Sequence, residues 1–168
     1  MQHTCSFSTM VEGDLDEVLS IEREVFPHPW SKEFFQLIIS DRSNWVITLR
    51  RDNTIVGYGG YHLLKKGRTF LSTHDRYQQI IHLINIAVSP PFQNQGFGTR
   101  LLDLLFNNAK RSSADYCYLE VRPSNTQAIH FYQRRGFSVI GVIEKYYPYE
   151  NENAVVMGMG LSGLIQER

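Results

Sequence analysis

Apolar residues recur at helical spacing near the start of the chain. Between residues 14 and 26 they fall every three or four positions, which predicts a first amphipathic helix. Pro27 ends this helix because proline cannot continue one, and Ser31 is placed to cap a second helix that runs to about Ser40. The chain therefore opens with two predicted helices.

Runs of β-branched, aromatic and apolar residues then predict strands separated by turn residues. Asp52 and Asn53 form a turn signal, so the first two strands are expected to pair as a hairpin. A late helix follows Asn125 and runs to about Arg135, where Gly136 ends it. The strands are predicted at residues 45–49, 54–64, 80–88, 116–121, 137–142 and 154–161, and another helix at residues 98–111.

This order, two helices followed by strands mixed with crossover helices, predicts an α/β fold with a mixed sheet. Residues 65–79 show no clean period and contain several charged side chains, so they are interpreted as a long polar loop. No repeat or linker divides the chain. Residues 1–168 are therefore predicted to form a single domain.

Composition and charge argue against several functions. The 17 basic and 17 acidic residues give a formal net charge of +0, which offers no overall attraction to nucleic acid or to a membrane surface. No apolar stretch has membrane-spanning length, the start shows no secretory signal, and Cys5 and Cys117 do not form a disulfide framework. We therefore expect a cytoplasmic protein with no direct nucleic-acid or membrane partner. The six histidines lack metal-ligand spacing, so no metal is expected.

A short segment with two glycines, residues 93–98, lies between a predicted buried strand and a predicted helix. A helix N-terminus carries N–H groups without intrahelical partners, and glycines let the backbone approach a ligand closely, so the segment suits a pyrophosphate. A tight strand-to-helix turn is an equally good interpretation of these residues alone. The segment lacks the Gly-Lys-Ser/Thr ending of a Walker A loop and the spacing of a Rossmann loop.

Two motifs in the right order resemble those of the GNAT superfamily of N-acetyltransferases. Residues 85–98, which begin Asn-Ile-Ala-Val-Ser-Pro and end Gln-Asn-Gln-Gly-Phe-Gly, resemble its acetyl-CoA-binding motif. Residues 119–137, which begin Leu-Glu-Val-Arg-Pro-Ser-Asn and end Gly-Phe, resemble its second motif. One predicted helix separates the two motifs.

A narrower resemblance, to the ribosomal-protein-alanine N-acetyltransferases, covers about residues 11–161. It includes residues 26–31, the Leu-Glu-Val-Arg run of the second motif, and residues 146–157. Two features depart from that family: His28 and Pro29 precede Trp30, and the loop at 65–79 is long.

The resemblance implies a fold, a reaction and a set of site residues. The implied fold is a mostly antiparallel sheet with a splay between two central parallel strands and helices on both faces. The implied reaction is direct transfer of an acetyl group from acetyl-CoA to a protein N-terminal amine, with a ribosomal protein as one such substrate. Glu120 is implied as the general base and Tyr132 as the general acid. The residues implied to bind acetyl-CoA are Ile86, Ala87, Val88, Asn94, Gln95, Gly96, Phe97, Gly98, Thr99 and Asn125, and those implied to line the substrate slot are Trp30, Tyr146 and Tyr147.

Each of these residues also has a simpler interpretation. Glu120 could be a strand-end carboxylate or the ion-pair partner of Arg122. Tyr132 and Trp30 could be core residues, and Asn125 is a good N-cap for the helix that follows it.

Three other functions stay open for the sequence. They are acetylation of a small amine or a lysine side chain, a non-catalytic module that binds acetyl-CoA, and a coenzyme A thioesterase. The presence of both Glu120 and Tyr132 argues against the non-catalytic module, which would need neither. No visible nucleophile or hydrolytic dyad favours the thioesterase.

Overall fold

Four α-helices and seven strands make up the described part of the chain. The computed structural model describes residues 4–65 and 77–161. The helices are α1 (Leu15–Val25), α2 (Lys32–Ser40), α3 (Phe97–Arg111) and α4 (Thr126–Arg134). The strands are β1 (Cys5–Thr9), β2 (Asn44–Arg51), β3 (Thr54–Lys65), β4 (Gln79–Val88), β5 (Tyr116–Val121), β6 (Ser138–Tyr147) and β7 (Glu152–Gly160). None of the helices described is long and apolar enough to cross a membrane.

The strands form a mixed sheet in the order β1-β2-β3-β4-β5-β7-β6. β4 and β5 run parallel, whereas β1–β2, β2–β3, β5–β7 and β6–β7 pair antiparallel. The parallel ladder runs only from the pair Ile80–Tyr116 to the pair His82–Tyr118, although both strands continue beyond it. The predicted α/β fold with a splay at its parallel pair is therefore confirmed.

Local sequence signals place several element ends as predicted. The Ser31 hydroxyl accepts a hydrogen bond from the backbone N–H of Phe34 at 3.2 Å and so caps α2. Asp52 and Asn53 both have positive φ, 50° and 70°, which is the conformation that a two-residue hairpin turn requires. Gly136 follows α4 with a φ of 95°, as a helix-ending glycine does.

Two strand predictions were wrong. The sequence prediction missed β1, because four of its five residues are exposed and no apolar run marks them. The strand predicted at residues 137–142 continues as β6 to Tyr147 and therefore includes Tyr146. The predicted loop at 65–79 begins at the last residue of β3 and ends at the first residue of β4, and its residues 66–76 lie outside the described residues.

The chain divides into two compact units, each with a buried core. The N-terminal unit contains the described residues up to Leu63 together with Leu83–Ser112. The C-terminal unit contains the described residues between Leu64 and His82 and those from Ser113 onward. The N-terminal core is built from α1, α2, β2 and β3, with Leu15, Phe35 and Tyr58 among its fully buried side chains. The C-terminal core includes Ile80, Tyr116, Tyr118 and Val156.

Candidate active site

The segment before α3 presents the N-terminus of that helix through a glycine. Gly96 is the N-cap, with a φ of 84°, and the first turn of α3 contains no acidic residue. A β-carbon at Gly96 would meet none of the described residues within 4 Å other than its chain neighbours. Glycine is therefore favoured here by the positive φ and not by a lack of space for a side chain. The first N–H groups of α3 and its helix dipole thus form a site suited to an anion.

Two glutamine side chains brace this segment from within. Gln93 donates from Nε2 to the Val88 carbonyl at 2.9 Å, and Gln95 donates from Nε2 to the Pro91 carbonyl at 2.8 Å. Between them, Asn94 adopts a φ of 59°. Because the Gln95 side chain bonds within the loop, its predicted contact with acetyl-CoA would come from its backbone.

A cavity of about 440 Å³ opens beside the loop in the N-terminal unit. Its lining includes Gln95, Gly96, Phe97 and Thr99, which are four of the residues predicted to bind acetyl-CoA, and also the cation Arg100. The remaining lining residues are Cys5, Asp103, Leu104 and Asn107.

The end of β4 holds three more of the predicted acetyl-CoA residues. Ala87 is buried in the core of the N-terminal unit, whereas Ile86 and Val88 are half-buried. A β-carbon at Gly57 would lie 2.7 Å from the Ala87 carbonyl oxygen, so glycine at position 57 allows β3 to approach the β4 backbone closely. The predicted contact of this backbone with acetyl-CoA stays a prediction.

Glu120 is buried on β5 beside a histidine. Only 6% of its side chain is exposed, and its Oε2 lies 2.5 Å from Nε2 of His82 on β4. Arg122, which the sequence offered as an ion-pair partner of Glu120, instead donates to Glu150 at 2.9 Å. The carboxylate of Glu120 therefore contacts the imidazole of His82 and not the guanidinium of Arg122.

The parallel register sets the position of the imidazole. His82 pairs with Tyr118, and its ring stacks on the phenol ring with centroids 4.6 Å apart and planes 6° apart. Tyr118 and Glu120 lie two residues apart on β5 and so share a face of the strand. Burial, together with the negative charge of Glu120, raises the pKa of Tyr118 well above its usual range, so this phenol stays neutral.

Tyr132 is buried on α4, the helix that Asn125 caps. The Asn125 side chain accepts from the Ala128 backbone N–H at 3.1 Å, which confirms the predicted N-cap. Burial raises the pKa of Tyr132 far above its usual range, and the neighbouring Cys117 and Tyr147 add to the effect. Tyr132 therefore carries its proton at neutral pH, as a general acid must.

Tyr146 and Tyr147 lie at the irregular end of β6. The β6–β7 register shifts between Ile143 and Tyr147, and Lys145 takes a φ of 52°. The two rings meet edge to face at 5.0 Å. Burial is the main cause that raises both pKa values, to about 12 for Tyr147, and the charge of Glu120 contributes at each ring.

Three of the predicted residues, Glu120, Tyr146 and Tyr147, thus lie within electrostatic reach of one another in the C-terminal unit, and Tyr132 lies within reach of Tyr147. Trp30 is different, because it lies in the N-terminal unit. Its ring packs against Phe34 at 4.8 Å and Phe35 at 5.6 Å.

The backbone of Trp30 is anchored to a buried carboxylate. Its N–H donates to Glu22 at 2.9 Å, and Glu22 also accepts from the amide of Asn85 at 2.9 Å and from the hydroxyl of Tyr58. Burial raises the pKa of Glu22 to about 6, although the hydrogen bonds from Trp30 and Asn85 oppose that shift.

The sequence prediction missed His82, Glu22 and Asn85 as parts of these networks. Residues 80–88 were interpreted as a nearly continuous apolar strand, yet His82 and Asn85 interrupt it. A polar side chain inside a buried run needs a partner, and that signal was available. Glu22 lies in the predicted first helix, where helical spacing alone does not mark it as buried.

Comparison with known proteins identifies the family. Residues 15–137 match the Acetyltransferase (GNAT) family. The chain is 31% identical over 159 residues to a [Ribosomal protein bS18]-alanine N-acetyltransferase of Haemophilus ducreyi, covering 91% of this chain and 98% of that protein. It is also 31% identical over 151 residues to an uncharacterized protein of Mycobacterium leprae; that match covers 89% of this chain and 39% of the longer relative.

Solved structures show the same fold. The ribosomal-protein-S18-alanine N-acetyltransferase of Escherichia coli superposes with a TM-score of 0.78 at 24% identity, covering 98% of this chain and 100% of that one. Arabidopsis thaliana NAA60, solved in complex with acetyl-CoA, superposes with a TM-score of 0.84 at 18% identity, covering 95% of this chain and all of that one. The chain belongs to the GNAT family and is an N-acetyltransferase, as the two motifs predicted.

Proposed function

We propose that this acetyltransferase modifies the N-terminal α-amine of a protein, with a ribosomal protein as one such substrate. The acetyl group passes directly from acetyl-CoA to the amine while both are bound. One observation carries the proposal: in the C-terminal unit the largely solvent-shielded side chain of Glu120 and the neutral phenol of Tyr132 both neighbour Tyr147. Such an arrangement supplies a proton acceptor for the amine and a proton donor for the departing sulfur.

The N-terminal unit has features that fit the pyrophosphate of acetyl-CoA. Gly96 holds the positive φ at the N-terminus of α3, and a β-carbon there would meet none of the described residues within 4 Å other than its chain neighbours. Arg100 adds a positive charge to the adjoining cavity. Residues 94–99 would hold the pyrophosphate through backbone N–H groups, and acetyl-CoA supplies the activated acetyl group for transfer.

A single proton acceptor that includes Glu120 can deprotonate an α-amine more easily than a lysine side chain. The pKa of an α-amine is about 7.7–8.0 and that of lysine about 10.4, so a useful fraction of α-amine is neutral at pH 7. A lysine would need roughly 3.5 kcal/mol more assistance to reach the same state. The similarity to the bS18-alanine enzyme over nearly its whole length supports the same choice.

A peptide panel tests the substrate class. Each peptide begins with alanine or serine, contains one internal lysine, and is offered with a free and with a blocked N-terminus. We expect mass spectrometry to find acetylation only on the free N-termini. Acetylation that persists on blocked peptides, or that appears only on small polyamines, would contradict the α-amine proposal and leave the acetyltransferase assignment intact.

A matched pair of glycine variants tests the acetyl-CoA site. Gly96→Ala forces a side chain into the left-handed region, at a cost of about 1–2 kcal/mol, and places a methyl group in the space proposed for the ligand. Gly13→Ala adds the same methyl group where no atom lies within 4 Å and φ is not positive. Calorimetry should show weakened acetyl-CoA binding for the first variant alone. Equal affinity in both folded variants would contradict the site.

The cellular setting and domain organisation also enter the proposal. Cys5 and Cys117 are not joined in a disulfide, which supports a reducing compartment such as the cytoplasm. The family match at residues 15–137 includes parts of both units, which supports residues 1–168 acting as one catalytic domain.

A further inference from the structure

The pairing of His82 with Glu120 raises the question of which group receives the amine proton. An ammonium nitrogen begins with three N–H bonds, and the amide that it becomes keeps one. Two protons therefore leave the nitrogen in each turnover: one ends on the sulfur of coenzyme A and the other goes to solvent. Glu120 has little direct contact with solvent, since only 6% of its side chain is exposed, whereas 24% of the His82 side chain is exposed.

The contact between the two side chains sets the tautomer of the imidazole. Oε2 of Glu120 and Nε2 of His82 lie within hydrogen-bond distance. Where Glu120 is an ionised carboxylate, which can only accept hydrogen bonds, the hydrogen of this contact belongs to the imidazole. In a neutral imidazole the other nitrogen, Nδ1, then carries the lone pair. The stacked ring of Tyr118 limits rotation of His82, so the contacts with Tyr118 and Glu120 together fix the orientation of the imidazole.

We infer that Nδ1 of His82 accepts the amine proton that is bound for solvent, while Glu120 holds the imidazole in the tautomer that makes this possible. The inference rests on the proposed function and refines its proton acceptor. One N–H bond of the substrate ammonium breaks and leaves its electron pair on nitrogen, and an N–H bond forms at Nδ1. The resulting imidazolium lies against the negative charge of Glu120, which stabilises it.

Solution chemistry favours an imidazole for this step. An ordinary imidazole has a pKa of about 6.5 and an ordinary glutamate about 4.3, and an efficient base has a pKa near the working pH. Burial raises the pKa values of Tyr118 and Tyr146, so both phenols beside the pair stay neutral and do not compete for the amine proton. Glu120 thus becomes the positioning residue, and His82 the group that meets the amine.

Two substitutions at position 82 separate proton transfer from positioning. In His82→Gln, the side-chain amide can still donate to Glu120 but cannot accept a proton at neutral pH. His82→Ala removes both abilities and leaves space that free imidazole can enter. His130→Gln is the matched control, because His130 is an exposed histidine on α4. The wild-type enzyme and all variants are assayed on the free-N-terminus peptide, with and without added imidazole.

We expect kcat to fall by about 100-fold or more in both His82→Gln and His82→Ala, since positioned acid–base groups contribute at least that much. Imidazole should restore part of the activity to His82→Ala, and His130→Gln should match the wild type. Near-wild-type kcat in His82→Gln would overturn the inference and leave His82 a positioning residue. Absence of rescue in a folded His82→Ala would also overturn it.

The outcomes keep this inference separate from the proposed function. A wild-type enzyme that acetylates no α-amine would contradict the proposed function before any variant is compared. An active wild-type enzyme with an active His82→Gln variant would contradict only the role of His82. If His82→Ala does not fold, the comparison between His82→Gln and the wild type decides the matter alone.

Discussion

Glu22 and Glu120 are both buried carboxylates, but they meet different kinds of partner. Glu22, which is 1% exposed, accepts from a backbone N–H, an amide and a phenol, none of which takes up a proton near neutral pH. Glu120 meets an imidazole that is itself partly exposed. The comparison teaches that burial alone does not point to a role in proton transfer. What distinguishes the two is whether the partner can exchange a proton with solvent.

The sharpest test of this difference is Glu120→Gln. The amide fills the same space but holds the imidazole tautomer poorly, so we expect kcat to fall by about 100-fold or more with little change in melting temperature. Glu144→Gln, an exposed carboxylate on β6, is the control and should keep full activity. A Glu120→Gln enzyme within tenfold of the wild type would remove the contrast between the two carboxylates.

Glu22→Ala tests the structural side of the comparison. Its loss leaves the Trp30 N–H, the Asn85 amide and the Tyr58 hydroxyl without their acceptor, so we expect the free energy of unfolding to fall by about 2 kcal/mol or more. Urea unfolding measures this change. Glu24→Ala, an exposed position on the same helix, should change stability by about 0.5 kcal/mol at most. Equal stability of the two variants would mean that the Glu22 network contributes nothing.

A pair of buried tyrosines extends the comparison to the proton donors. Tyr132→Phe should lower kcat by about tenfold or more with little change in peptide KM, because the lost hydrogen bond forms as the sulfur departs. Tyr58→Phe, which removes a donor to Glu22, should instead lower the free energy of unfolding by about 1 kcal/mol. Steady-state kinetics and urea unfolding of both variants check the contrast, and an unchanged kcat in Tyr132→Phe would remove the general-acid role.

The smallest expected effect is a pH dependence carried by Glu22. Its pKa is raised from 4.5 in the unfolded chain to about 6 in the folded protein, so between these values the folded state binds more protons. Stability therefore falls as pH rises through this window, by on the order of 1 kcal/mol, and levels off above it. Unfolding of the wild type and of Glu22→Gln from pH 4 to 7 isolates the contribution. A free energy of unfolding that rises with pH in the wild type relative to Glu22→Gln, between pH 4.5 and about 6, would contradict the prediction.

Local signals in the sequence predicted most elements of the fold. Side-chain contacts between neighbouring strands could be identified only from the structure. The caps at Ser31 and Asn125 depend on residues three positions away, and both were predicted. The contact between His82 and Glu120 spans 38 residues and depends on the parallel register of β4 and β5. No spacing rule along the chain encodes that register.

The end of β6 was unpredictable for a related reason. Beyond Ile143 the strand loses a regular register with β7, and Lys145 adopts a positive φ that a lysine seldom takes. Its N–H donates to the side chain of Asn153, a contact formed only when the hairpin closes. Glu120 and Tyr132 were predicted as general base and general acid from the family resemblance alone, since burial and partners are properties of the folded chain.

The two glutamine braces in the loop before α3 affect how a ligand would bind. Because Gln93 and Gln95 already hold the loop through the carbonyls of Val88 and Pro91, the loop has its final shape before any ligand arrives. The entropy of ordering these residues is lost during folding and not during association. A preorganised loop of this kind favours fast capture of its ligand and leaves more of the interaction energy to appear as affinity.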